Sequence, residues 1–348
     1  MSIYDEQQVE QFRKKHRLDP QQIRNIRKKL LKRFLSDDAV VERIPNVEEL
    51  KLHCLELHSG FDSEIDGATK LLFQNEQGLL LETVILRIAS GRTTLCVSSQ
   101  VGCAAACDFC ATGKMGIARS LSADEILDQV VQAGQILEKE GRSFRNIVFM
   151  GMGEPFHNED NLHAVLAALT DPSLFARNSS SLLVSTVGIP DAMVRMAEKF
   201  PSINLALSLH SAKQDVRESI IPLAKKYSLD QLRDAVQKVS EVHQREVMVE
   251  YLMLKDVNDS ASDVQALLQW VRGLSVHVNL IPFNKVESAT HLKPTERQDI
   301  SMFADQLKQV GIKTTVRYSL GHDIAAACGQ LVQMENRKRA RQLPVIQN

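Results

Sequence analysis

At 348 residues the chain can bury a substantial core, and one or two domains are expected. Hydrophobic residues make up 44% and charged residues 24%, an ordinary balance for a soluble globular protein, and a formal net charge of −1 gives no overall pull toward nucleic acid. No apolar run reaches membrane-spanning length and the start Met1-Ser2-Ile3-Tyr4-Asp5-Glu6 carries no signal-peptide pattern, so a cytoplasmic protein without membrane contact is expected. There, cysteines stay reduced and serve more often as ligands or catalysts than as staples.

Residues 1–85 read as a small N-terminal helical and hairpin domain. Asp19-Pro20 opens a helix through Phe34, with proline at an early position. A second helix is expected from about Val47 to Leu57. Thr69-Leu71-Phe73 and Leu79-Leu81-Thr83-Ile85 read as a hairpin joined around Asn75-Glu76-Gln77-Gly78.

From Thr93 onward strands and helices alternate. The expected strands are Thr93–Ser98, Asn146–Met150, Leu182–Ser185, Asn204–Ser208, Val247–Leu254, Val276–Pro282 and Lys313–Tyr318. Ser122-Ala-Asp-Glu125 is a capping box that starts a long helix to about Lys139. Further helices are expected at Glu159–Leu169, Pro190–Lys199, Leu229–Val242, Ala261–Arg272 and Glu296–Val310. Short apolar strands separated by helices imply parallel strands with right-handed crossovers, and six or more units fit a barrel better than a two-sided sheet. In such folds ligands gather at the carboxyl ends of the strands. The polar and glycine-rich segments fall there: the cysteine loop, Gly151-Met-Gly-Glu154-Pro155, Ser185-Thr-Val-Gly188, Ser208-Leu209-His210 and Asn284.

Cys103, Cys107 and Cys110 form a C-x3-C-x2-C run. Three adjacent thiolates can hold a metal and leave one position open. Structural zinc usually closes a tetrahedron of four ligands. A four-iron cluster held at three corners keeps one iron free for a small molecule, and such clusters need cysteine ligands. A zinc knuckle stays open as an alternative from spacing alone. In Gly151–Pro155, glycines permit close backbone approach and Glu154 suits an ammonium group. Ser185, Ser208 and His210 could bond a ribose or carboxylate, although a lone serine is more often a helix cap and a lone histidine a packed one. His53 and His58 flank Cys54 and read as core or surface, with Cys54 packing as a small hydrophobe.

With Phe109 just before its third cysteine, the run resembles the radical S-adenosylmethionine (SAM) superfamily. Leu95-Cys96-Val-Ser-Ser-Gln-Val-Gly-Cys103, Cys107-Asp-Phe-Cys110-Ala-Thr-Gly, Phe149–Pro155, Ser185-Thr, Ser208-Leu-His210 and Asp323-Ile-Ala-Ala-Ala-Cys328-Gly-Gln-Leu together resemble the RlmN/Cfr family of RNA adenine methyltransferases. These motifs span roughly residues 80–333. The resemblance implies an α/β fold, a partial (β/α)6 radical-SAM barrel over residues 86–333, with residues 334–348 as a basic tail. It implies one [4Fe-4S] cluster on Cys103, Cys107 and Cys110, and two SAM molecules per turnover. It places SAM contacts on Gly153, Glu154, Ser185, Ser208, Leu209, His210 and Asn284. It makes Cys328 the cysteine that is first methylated, then stripped of a hydrogen by a SAM-derived 5′-deoxyadenosyl radical and joined to adenine. Cys96 then resolves that adduct and forms a disulfide with Cys328, and Glu82 removes the ring proton.

The implied substrate is ribosomal RNA, 23S in particular, and also transfer RNA. The implied electron donor is a flavodoxin or ferredoxin, and the enzyme is expected to be a monomer. Carbon 2 of adenine is the expected target. Carbon 8, as in the Cfr branch, and a non-catalytic iron–sulfur or zinc RNA-binding protein are the alternatives. Two basic segments support RNA contact: residues 13–33, with ten lysines and arginines opposed only by Asp19, and Arg337, Lys338, Arg339 and Arg341 near the end. Arg24, Arg27, Lys28 and Lys29 are expected to carry phosphate contacts.

Overall fold

A computed structural model describes residues 1–42 and 44–331. The basic segment Arg337–Arg341 and the expected tail 334–348 lie outside the described residues. The chain opens with α1 (Glu6–Lys15), α2 (Pro20–Arg27) and α3 (Asp37–Val41). Asp19 caps α2 in a capping box with Gln22, and a π-helical turn carries the chain on to Lys32. Ile3, Phe12, Ile26, Leu30 and Leu31 are buried, so these helices have an apolar core that merges with the main one.

The hairpin is β2 (Ala68–Asn75) and β3 (Leu80–Arg87), antiparallel, and it is preceded by β1 (Leu55–Asp62). The expected helix at 47–57 does not form. Asn46 takes a left-handed φ of 54° and only a single 3-10 turn follows, Val47–Glu49. The Lys51 N–H donates to the Met1 carbonyl (2.7 Å), and the Ile3 N–H to the Lys51 carbonyl (3.1 Å). The N–H groups of Cys54 and Leu55 go to the Asp128 carboxylate, not to carbonyls four residues back. The expected boundary at residue 85 falls inside β3, whose other edge pairs antiparallel with β4 (Thr93–Cys96). The hairpin therefore extends the barrel sheet.

A short antiparallel pair follows, β5 (Gln100–Gly102) and β6 (Ile117–Ser120), with α4 (Ala111–Met115) between them. Then come α5 (Ala123–Lys139), β7 (Asn146–Phe149), α6 (Glu159–Thr170), β8 (Leu182–Thr186) and α7 (Pro190–Lys199). Next are β9 (Asn204–Ser208), α8 (Gln214–Ile220), α9 (Leu229–His243), β10 (Val247–Met253) and α10 (Ala261–Val271). The described fold ends with β11 (Val276–Pro282), α11 (Arg297–Gln309) and β12 (Thr314–Val316). One ten-stranded sheet runs β1-β2-β3-β4-β7-β8-β9-β10-β11-β12, parallel from β4 to β12. Strands β1 and β12 are its two edges, so the barrel is open. Six β/α units and a closing strand match the expected partial (β/α)6 architecture.

The N-terminal segment is fixed to the barrel by one carboxylate. Asp128, fully buried on α5, accepts from Tyr4 Oη (2.8 Å), His53 Nδ1 (2.6 Å), the Cys54 and Leu55 N–H groups (2.7 and 2.8 Å) and Gln132 Nε2 (3.1 Å). Burial alone would lower the His53 pKa, but its bonds to Asp128 and Asp37 raise it to about 9, so the imidazole is a cation at neutral pH. His53 is thus a structural ion-pair partner of Asp37 and Asp128. Removing the carboxylate would strand several buried donors. Asp128→Ala is expected to cost roughly 3–5 kcal/mol, read as a lower urea midpoint, and to expose residues 1–55 to protease. An unchanged midpoint and digestion pattern would refute this anchor.

Candidate active site

The parallel strands present their inward side chains to one cavity of about 700 Å³. Its walls include Cys96, Cys103, Cys107, Cys110, Gly153, Glu154, Ser185, Ser208, His210 and Cys328. Residues dispersed over most of the chain thus meet in one place, at the carboxyl ends of the strands.

The cysteine loop wraps on itself before α4. A side chain at Gly113 would meet the Cys107 backbone at 2.8 Å, so only glycine lets the loop close this tightly. Backbone N–H groups point at sulfur: Ala105 and Ala106 toward Cys103, and Thr112 and Gly113 toward Cys110. Ile220, Ile221, Leu252, Ile281 and Phe283 surround the loop with apolar surface. Burial pushes the Cys103 thiol up to about 12 and the Cys107 and Cys110 thiols upward as well. Arg217 on α8 is buried next to Cys107, and its Nε and Nη1 have no hydrogen-bond partner. Burial lowers its pKa to about 10, so it remains a cation.

Among the described residues, no three His, Cys, Asp or Glu side chains converge on a single ion. A cluster does not require that convergence, because each thiolate binds a different iron. Three thiols, two of them met by backbone N–H groups, an apolar surround and a buried guanidinium that bonds the Val187 carbonyl and keeps two nitrogens without a partner fit an anionic iron–sulfur cluster.

Glu154 is buried and bonded at both oxygens, Oε1 to the Phe156 N–H (3.1 Å) and Oε2 to the Val187 N–H (2.9 Å). Burial raises its pKa to about 7, against these bonds and one to Thr186. Gly153 has φ 104°, and a Cβ there would meet the Gln100 side chain at 2.6 Å. Gln100 Oε1 in turn accepts the Glu154 N–H (3.0 Å). Ser98 Oγ bonds the Glu82 carbonyl (2.5 Å) and accepts the Met152 N–H (2.8 Å), tying β3 to this turn.

Ser185 and Ser208 converge on Glu250 of β10, donating to its Oε2 at 2.9 and 3.2 Å. Glu250 is buried on the cavity wall and was not foreseen from the sequence. The available signal was a single carboxylate inside an otherwise apolar strand. His210, at φ 58°, is buried edge-on to Phe109, with ring centroids 4.9 Å apart. Its Nδ1 accepts the Leu252 N–H (3.1 Å), which leaves the proton of the neutral ring on Nε2. Burial and Arg217 lower its pKa to about 3, so it stays neutral. Leu209 differs from its neighbours: its side chain is fully buried in the main core and does not line the cavity.

All six cysteines are free thiols. Cys96 ends β4, and burial pushes its thiol up to about 11, with Arg317 opposing. Cys328 has appreciable accessible surface yet is closely surrounded by protein, as befits a thiol on a cavity wall. Its pKa rises to about 12, from burial and then Glu250, with Arg317 again opposing. Arg317 follows β12 and was not foreseen as a site residue.

The Cys328 loop is held on several sides. The Ala111 N–H donates to the Gly329 carbonyl (2.7 Å), and Thr112 Oγ1 to the Leu331 carbonyl (2.5 Å). Asn284 Nδ2 donates to the Cys328 carbonyl (3.1 Å) and Ser319 Oγ (3.0 Å), and Asn284 does not line the cavity. Asp66 accepts the Gly321 N–H, and Ser63 and the Glu64 N–H donate to Asp323. Glu82 is fully buried and, unlike Val84 and Leu86 on the same strand, does not line the cavity; Lys70 Nζ lies 3.5 Å from its Oε1.

The family model for the radical SAM superfamily matches residues 97–271. Over 340 residues the chain is 61% identical to a probable RNA methyltransferase of Rhodopirellula baltica, covering 98% of this chain and 90% of that one. It is 40% identical over 283 residues to a probable dual-specificity RNA methyltransferase RlmN of Thermus thermophilus, covering 81% and 79%. The crystal structure of a radical SAM methyltransferase from Sphaerobacter thermophilus matches with a TM-score of 0.90 at 35% identity, covering 95% of this chain and 99% of that one. The chain belongs to the radical SAM superfamily and, within it, to the RlmN/Cfr family of RNA methyltransferases.

Proposed function

We propose that the enzyme methylates carbon 2 of an adenine in 23S ribosomal RNA, and in transfer RNA, through a methyl group carried on Cys328. The observation that carries this reading is the sulfur arrangement: Cys96 and Cys328, distant in sequence, line one cavity with the three cluster cysteines. The relatives named RlmN support carbon 2 over carbon 8, and their dual-specificity name supports two RNA substrates.

Cys103, Cys107 and Cys110 would hold the cluster. Gly153, Glu154, Ser185, Ser208 and His210 would hold SAM, with Glu154 on its ammonium. Asn284, which bonds the Cys328 carbonyl, orients the methyl carrier. When bound, cluster and SAM supply a 5′-deoxyadenosyl radical that abstracts hydrogen.

The remaining chemistry belongs to this chain. Cys328 loses its proton and takes a methyl group from a first SAM, forming a thioether. Bonding of the methylene carbon to adenine leaves one unpaired electron on the adduct, which the bound cluster would take up, and Glu82 removes the proton from that ring carbon. Cys96 attacks the Cys328 sulfur, and the sulfur–carbon bond breaks with its electron pair on the methylene carbon. That carbon takes a proton and becomes the methyl group, leaving a Cys96–Cys328 disulfide. The disulfide brings the two Cα atoms to within roughly 4.4–6.8 Å.

Mass spectrometry of RNA from cells with and without the gene tests the product directly. Loss of 2-methyladenosine on deletion is expected; loss of 8-methyladenosine would overturn the carbon assignment. Cys328→Ala should abolish methylation and keep RNA binding. Cys96→Ala should stall with the RNA covalently attached, visible as a nuclease-sensitive shift of the protein band. Full turnover in either variant would sink the two-thiol scheme.

The carboxyl of Glu154 gives a pH test. An ammonium pairs with its ionised form, and its pKa near 7 means that the form is lost as the pH falls below that value. SAM affinity of the cluster-loaded enzyme should therefore rise from about pH 6 to about pH 8, up to tenfold per unit below the pKa. Equilibrium dialysis should show a flat, weaker profile for Glu154→Gln. An equally steep profile in the variant would assign the dependence to another group.

A further inference from the structure

Much of the basic run expected to meet RNA is occupied. Arg13 pairs with Glu10 at 2.7 Å and Lys15 with Glu49 at 2.6 Å. Arg27 is buried and donates to the Ile3 carbonyl (3.3 Å). Lys29 Nζ donates to the Ala39 carbonyl (2.6 Å), and Lys32 Nζ to the Pro172 carbonyl (2.5 Å). Arg24 bonds its neighbour Gln21. This helix contributes less free positive charge than its sequence suggests.

A different surface has the opposite property. At the amino ends of β4, β7 and β8 lies a depression of about 440 Å³, lined by Arg92, Arg145 and Arg177 together with Asn178, Ser180 and Ser181. None of its lining residues is acidic, and among the described residues no carboxylate forms an ion pair with any of the three arginines. Arg177 is fixed by stacking, its guanidinium carbon 3.9 Å from the Phe144 ring centroid. Its Nε and Nη2 are buried without a hydrogen-bond partner. Arg92 and Arg145 are exposed. Three unneutralised guanidinium groups around one concave surface present the donor geometry that phosphate oxygens take.

The depression also adjoins the reaction chamber. Arg92 and Asn146 line both the depression and the central cavity. The cavity walls include side chains from the starts of strands, such as Thr94, Met248 and His277, as well as from their ends. Arg92 lies four residues before Cys96, about 13 Å along an extended strand. A nucleotide with its phosphate at Arg92 and its base turned inward would point along that wall toward Cys96 and Cys328. Base-modifying enzymes need such an unstacked base.

We propose that Arg92, Arg145 and Arg177 form a binding site for RNA phosphodiesters that holds the backbone flanking the target adenine at the amino-end opening of the barrel. The proposal rests on the reading of the chain as an RNA-modifying enzyme. It is tested on the cluster-loaded full chain with an adenine-containing RNA hairpin, by titration over a range of salt concentrations. Arg92→Gln/Arg145→Gln changes only exposed side chains. It should weaken binding at least tenfold and reduce the slope of log affinity against log salt by roughly 0.7 for each phosphate no longer neutralised. Arg92→Lys/Arg145→Lys should restore most of the slope. Wild-type affinity and slope in the glutamine variant, with a wild type that does bind the hairpin, would overturn the site and leave the enzymatic reading standing. A wild type that binds no RNA would overturn both.

Discussion

The proposed chemistry depends on keeping Cys328 beside the cysteine loop. That thiol lies far from the others in sequence, on a segment without regular secondary structure. Its position comes from the Ala111 N–H and the Thr112 hydroxyl, which directly follow Cys110 and bond the Gly329 and Leu331 carbonyls, and from Asn284, which bonds the Cys328 carbonyl. The turn between β1 and β2 adds Ser63, Glu64 and Asp66, which reach Asp323 and Gly321. The β1–β2 connection of the N-terminal segment therefore braces the Cys328 loop. This gives a physical reason why that segment continues the barrel sheet and does not form a detached module.

Electrostatics inside the barrel follow from burial and from which charges are paired. Glu154 and Glu250 are enclosed with backbone and hydroxyl donors, ready to meet polar groups of a ligand. His210 is held neutral, so it offers a hydrogen bond and no charge. Arg217 supplies the cation near Cys107, and Arg317 opposes the rise in the Cys96 and Cys328 thiols. A thiol near 11 or 12 is inert until a partner lowers it.

Local rules were readable wherever one segment decides the outcome. Ser122 and Glu125 form the reciprocal cap their spacing implies, and α5 runs to Lys139 as expected. Apolar runs such as Val276–Pro282 became strands because burial on both faces is what a parallel barrel strand needs. The segment 47–57 failed because its backbone partners, Met1 and Asp128, are distant in sequence. The same limit hid Glu250 and Arg217, whose partners Ser185, Ser208 and Cys107 are joined to them only by the fold. Charge counting misjudged residues 13–33 because Glu10 and Glu49, outside that window, neutralise part of it. The six motifs did place the cavity, because chemistry at strand ends forces polar residues into positions that packing alone would fill with apolar ones.

The two hydrogen bonds from Ala111 and Thr112 have a consequence for assembly. Both donors belong to the turn that begins at Cys110, proposed as a cluster ligand, so ordering of that turn and docking of residues 329–331 share one free energy. Thermodynamic reciprocity then requires that cofactor loading steady the C-terminal loop, and that a docked loop favour loading to the same degree. On the proposed reading, a chain without its iron would also present Cys328 poorly, which would couple metal supply to the first methyl transfer as well as to the radical step.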